Sequence, residues 1–111
     1  MRQIKSLAST SQELVHECER HTQQRCSNFE WRDFRDAQYS PGRNTVILLV
    51  DMREAVGCAV YIHNERDGFV DMVGIENKGH VVLVPWEQGL KIVCYGQCTV
   101  AEIIALEAST T

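Results

Sequence analysis

The chain has 111 residues, 44% hydrophobic and 23% charged, with a formal net charge of −4. That length suits one domain with a real core, the composition excludes a disordered or low-complexity chain, and the negative sign weakly repels phosphate backbones and anionic lipid. The longest apolar run, Thr45 to Met52, is too short for a membrane helix and the first dozen residues lack the apolar stretch of a secretory signal, so a cytoplasmic single domain over 1–111 is expected, with no membrane partner.

In chain order, Thr10 followed by Glu13 makes a capping box, and Leu14, Val15, Cys18 and Thr22 recur at helical spacing. A helix from about Ser11 to Cys26 is predicted, with Glu13, Glu17, Arg20 and Gln24 on its wet side. Residues 27–39 are two-sided. Ser27 with Glu30 repeats the box and Trp31 and Phe34 stand three apart, which favours a second short helix, whereas Phe29 and Trp31 alternate as in a strand.

Pro41-Gly42 ends any regular element. Beyond it come five apolar runs: Thr45–Met52, Val56–His63, Phe69–Glu76, His80–Trp86 and Leu90–Gly96. The short joints between them imply antiparallel neighbours. Thr99 with Glu102, then Val100, Ile103, Ile104 and Ala108, predict a short C-terminal helix. The expected fold is therefore α+β: an N-terminal helix or two, an antiparallel meander of about five strands, and a short C-terminal helix.

With residue 63 opposite 69, 76 opposite 80 and 86 opposite 90, the two faces of this meander can be assigned. One gathers Val56, Cys58, Val60, Ile62, Val70, Met72, Val82, Val84, Trp86, Leu90, Ile92 and Cys94 and is the natural core. The other gathers Ala59, Tyr61, His63, Phe69, Asp71, Val73, Ile75, Val81, Leu83, Lys91, Val93 and Tyr95. This second face is too apolar for solvent, because each large side chain left wet forgoes roughly 1.5–3 kcal/mol. Something should cover it: a helix, a second copy of the chain, a protein partner or a small apolar ligand.

Tyr61, His63 and Asp71 share that face, with Tyr61 expected opposite Asp71, and could form an acid/base cluster against an apolar wall. The plainer reading is a tyrosine hydroxyl satisfied by a carboxylate, with the histidine in water. His16 and His21 stand five apart and diverge by roughly 140° around a helix, so they do not make the paired ligands of a zinc-protease helix. Cys18, His21 and Cys26 lack a fourth ligand, and Cys94 and Cys98 lack the paired knuckles of a zinc site, so no metal or cofactor is expected. The five cysteines read as reduced packing thiols, with Cys98 a candidate reactive thiol at the start of the C-terminal helix.

Arg20, Arg25, Arg32, Arg35 and Arg43 interleave with Phe29, Trp31, Phe34 and Tyr39, the pattern of a nucleic-acid surface. Glu30, Asp33 and Asp36 cut the five positive charges to a local excess of +2, which favours a charged surface over buried aromatics. The functional expectation is a non-enzymatic binding module, self-associating as a homodimer or taking a protein partner or small apolar ligand through Tyr61, His63, Phe69, Asp71, Val73, Leu83, Val93 and Tyr95. The rivals are a small enzyme using Asp71, His63 and Tyr61, and nucleic-acid binding through Arg20–Arg43.

Overall fold

A computed structural model describes residues 2–54 and 57–106. Its elements are β1 (Ile4–Ser6), α1 (Ser11–Thr22), β2 (Arg32–Tyr39), β3 (Thr45–Asp51), β4 (Ala59–Asn64), β5 (Gly68–Val73), β6 (Val81–Pro85) and β7 (Leu90–Ile104), with one 3-10 turn at Ile75–Asn77. The α+β expectation is overturned. The molecule is a curled antiparallel half-barrel in the order β1-β6-β3-β7-β4-β5, with β2 also paired to β7 and a single α-helix among the described residues.

The helix forms where the capping box predicts it. Thr10 Oγ1 accepts the Glu13 amide at 3.2 Å, and the Glu13 carboxylate accepts the Ser9 amide at 3.4 Å. It stops at Thr22 rather than Cys26 because Gln23 takes a left-handed conformation (φ 56°) and donates its amide to Glu19 O.

The C-terminal helix and the second N-terminal helix are both strands instead. In β7, Val100 faces one core while Ala101 and Ile103 face another. Burial on both sides erases the alternation of a strand and leaves an apolar run that mimics a helix. In β2, Phe34 and Tyr39 turn inward and the charged residues between them stay exposed. The Ser27/Glu30 pair has no helix to cap. Val56 and Ala108, assigned above to the core face and the C-terminal helix, lie outside the described residues.

β7 is the spine. Residues 99–104 pair with β3, residues 90–95 pair with β4, and β2 runs along the strand from Ile92 to Val100. Val100 has partners in both β3 and β2, and Ile92 in both β4 and β2, so β3 and β4 lie end to end on the edge that β2 leaves free. β6 and β5 repeat this arrangement one place further out. Pro85 pairs with Ile47 and Leu90 with Asn64, at opposite ends of the β3–β4 line. Four residues, Trp86 to Gly89, join them and reach only about 17 Å, whereas the line laid flat, measured along β7 from Ile103 to Leu90, would span about 44 Å. The sheet must double back on itself. The expected pairing of residue 86 with 90 is absent, since β6 and β7 are not neighbours.

The fold line lies at one level: it crosses β7 and β2 and passes between β3 and β4 and between β6 and β5. On β7 it falls at Gly96 (φ 72°), where an added Cβ would overlap the Gly57 carbonyl oxygen. Gly96 donates its amide to Asp36 Oδ1 (2.8 Å), and Asp36 itself sits at a register shift with φ 45°. One strand over, Met52 keeps two backbone bonds across the corner, to His80 O and from the Gly79 amide, each 3.0 Å. Asp51 and Arg53 brace the same corner through paired bonds at 3.0 and 2.9 Å, and the Arg53 guanidinium lies 5.8 Å from the Trp31 ring centre.

Doubling back lets the sheet bury one face against itself. Leu48, Val50, Val82, Val84 and Val100 from one half meet Val60, Ile62, Val73, Ile92 and Cys94 from the other. The outer face of the β3–β6–β7 half carries Ile47, Leu49, Val81, Leu83, Ala101 and Ile103, and α1 covers it with Leu14 and Cys18.

Gly96→Ala is expected to lower stability by more than Gly89→Ala in urea denaturation. Both residues have positive φ, costing roughly 1–2 kcal/mol for a Cβ, but only Gly96 meets backbone there. Burial pushes the Asp51 carboxyl up, yet the Arg53 hydrogen bonds outweigh it and hold the pKa below its usual value. A lowered folded-state pKa stabilises above the unfolded value and ceases to do so as pH falls through the folded one. Asp51→Asn should therefore cost about 1 kcal/mol at pH 7 for this partly exposed pair, with the gap to the parent closing below about pH 4.

Candidate interaction surface

The second half-sheet, built from β4, β5 and the first half of β7, has an outer face that α1 does not reach. Along β4, Ala59, Tyr61 and His63 point outward because Val60 and Ile62 between them are fully buried. Their β7 partners are Tyr95, Val93 and Lys91. On β5, Phe69 stands opposite His63 as expected from the sequence. The aromatic rings assemble into one cluster: Tyr61 to Tyr95 is 5.0 Å between ring centres, Tyr61 to Phe69 is 5.9 Å and His63 to Phe69 is 6.2 Å. Phe69 is 58% and Tyr95 51% exposed, while Tyr61, His63, Lys91 and Val93 are half-buried.

Three of the eight residues expected from sequence to form the binding surface do not belong to it, nor does Val81 of the same expected face, which is buried beside Leu83. Leu83 is buried under α1, and Val73 lies in the main core. Asp71 is one step out of register: it stands opposite Ile62, and Met72 takes the place opposite Tyr61. The cause is a bulge at Val70, which has no partner on β4 and reverses the in/out order of the rest of β5. The Asp71 carboxylate is occupied by the Gln3 side-chain amide (3.0 Å) and the Met72 amide (2.8 Å). Tyr61 and His63 are thus brought together without the carboxylate that an acid/base cluster would use. Nothing in the local composition marks the bulge, so Met72 could not be assigned from sequence.

The edges of the half-barrel differ. β2, an edge strand beside β7, exposes Arg32, Asp33, Arg35 and Asp36. β1 has three residues. Both are poor templates for a further strand. The outer edge of β5 carries exposed Gly68, Phe69 and Val70, and Gln3 closes only its far end through a 2.9 Å bond to Met72 O.

The aromatics of the arginine-rich segment are used internally. Phe29 and Trp31 pack edge to face at 5.1 Å against the second core, and Phe34 and Tyr39 stack at 4.6 Å against the first. Arg32 approaches Glu102 at 4.0 Å, and that carboxylate also accepts from Thr45 Oγ1 (2.6 Å) and the Gly42 amide.

Clefts also open among the described residues. One of about 290 Å³ lies between Pro41, Arg43, Trp86 and Lys91, and one of about 460 Å³ between Ser27, Phe29, Arg32 and Glu102. Among the described residues no three His, Cys, Asp or Glu side chains gather as a metal site, and no helix is long and apolar enough to cross a membrane. Cys98 starts no helix, since it lies inside β7, so the proposed helix-terminus activation of its thiol has no basis.

Phe69→Ser should cost less than about 1 kcal/mol in urea unfolding because Phe69 is largely wet already, whereas Ile62→Ala on the same hairpin should cost about 2–5 kcal/mol. Equal costs would mean that the outer face is already covered within the monomer. Comparison with protein-family models, curated proteins and solved structures finds no match for this chain.

Proposed function

We propose that the protein is a non-enzymatic interaction module that associates with a second copy of itself through the outer face of β4, β5 and β7. The observation that carries this reading is the Tyr61–Phe69–Tyr95 ring cluster, exposed on the half-sheet that no helix covers among the described residues. Tyrosine and phenylalanine are enriched at the centres of protein interfaces, where large rigid rings bury much area for little lost freedom. The surface is the outside of a curled sheet rather than a cavity, which suits a broad partner better than a small ligand.

A second copy is favoured over an unrelated partner by the edge beside the cluster. β5 is the edge strand whose exposed stretch, Gly68 to Val70, carries no charge, and a two-fold axis would lay two such edges antiparallel, satisfying backbone groups on both while joining the two aromatic faces. Gln3 sets the limit of that pairing at Met72. A net charge of −4 opposes association only weakly at physiological salt, where charges further apart than about 8 Å are screened.

Light scattering coupled to size-exclusion chromatography at micromolar concentration is expected to give twice the monomer mass for the parent chain. Phe69→Asp and Tyr95→Asp should each give the monomer mass with an unchanged far-ultraviolet spectrum. A parent chain that is monomeric across this range would overturn the reading.

A further inference from the structure

At the fold line three buried thiols converge. Cys58 enters just before β4, Cys94 lies in the first half of β7, and Cys98 lies just past the bend at Gly96. All three are enclosed, with Cys94 and Cys98 fully buried and Cys58 at 4% exposure. Cys58 Sγ is 2.7 Å from Cys98 Sγ. Unbonded heavy atoms in good contact stand about 3.5–4.0 Å apart, so these sulfurs are pressed together. The missing side chain of Gly96 allows this, since the backbones of Gly57 and Cys58 pass directly against it. Cys98 Sγ has further contacts to Tyr95 O at 3.4 Å and Ala59 O at 3.5 Å.

The geometry points to a redox-active dithiol at the bend, in which Cys58 and Cys98 close to a disulfide when the protein meets a small peroxide such as hydrogen peroxide. One of the two sulfurs, as thiolate, attacks the peroxide O–O bond, becoming a sulfenic acid and releasing hydroxide, which takes up the lost proton to leave as water. The second sulfur then forms the S–S bond, and the sulfenic hydroxyl departs with its proton as a second water. Two thiols are oxidised by two electrons and one peroxide is reduced to two waters. A peroxide is close to water in size and suits a site with so little exposure.

The neighbouring groups are consistent with a paired resting state. Burial, followed by the Cys98 contact, pushes the Cys58 thiol up to about 12, and Cys98 is likewise raised, so both rest protonated and the attack on peroxide proceeds slowly, from the small thiolate fraction. Cys18 and Cys26, on the other side of the sheet, form no part of this cluster.

The test treats the full chain with hydrogen peroxide, alkylates remaining thiols in denaturant and maps the peptides by mass spectrometry. The expected product links Cys58 to Cys98, leaves Cys18 and Cys26 alkylated, reverts with dithiothreitol, and unfolds at higher urea than the reduced protein because a long loop is closed. Cys58→Ala should lose the linkage, with Cys18→Ala as the control that keeps it. Mapping on the parent chain stands by itself if Cys58→Ala fails to fold. Recovery of all five thiols after treatment, or a linkage that joins Cys94 to Cys98 and spares Cys58, would sink the proposal.

Discussion

The structure depends on one close approach, that of Gly96 to the backbone of Gly57 and Cys58. A side chain there would hold the strands apart, and β7 could not turn while keeping partners before and after the turn. With the contact made, β7 serves β4 on one side of the bend and β3 on the other, Asp36 takes up the amide that the bend removes from the ladder, and Met52 bridges the neighbouring corner. Because β7 and β2 turn at one level and the other strands stop short of it, alternate residues of a single sheet face one another and make the main core without a second sheet.

Self-coverage leaves two outer faces and only one helix among the described residues. α1 is twelve residues long and spends its buried stripe, Leu14 and Cys18, on the β3–β6–β7 half. The other half keeps its rings outside. The edges differ too: charge protects β2, which borders both halves, while β5, beside the ring cluster, has exposed Phe69 and Val70. Surface composition and strand edge therefore coincide on one side of the molecule.

How far the sequence revealed this can be followed residue by residue. The Thr10/Glu13 box carried enough local information to place the start of α1, because a cap is a contact between near neighbours. Parity in β4, β6 and the start of β7 was equally legible: Val60, Ile62, Val82, Val84, Ile92 and Cys94 all face the main core. Legibility ended wherever a distant strand decided the outcome. Val100 to Ile103 looked helical because two cores claim the two faces of one strand, and Asp71 was misplaced because the Val70 bulge belongs to a pairing and not to a sequence pattern. The meander expected from short joints failed at Trp86 to Gly89, where the joint spans two layers of a folded sheet. Of the surface, Tyr61, His63, Phe69, Val93 and Tyr95 were readable, whereas Val73 and Leu83 were hidden by elements whose positions no local pattern encodes.

The placement of β7 also governs how the chain can acquire its form. The central strand of the sheet is the last one along the chain, and it supplies the partners of β2, β3 and β4, with Arg32 waiting for Val100 and Thr45 for Ile104. During synthesis from the N-terminus, β2 emerges with no partner to join, and the β3–β6 and β4–β5 pairs emerge with one side open. Such non-local pairing is slow and leaves strands exposed in the interval. The charges that line β2 then have a use before the native state exists: they keep this unpartnered strand dissolved until its neighbour arrives.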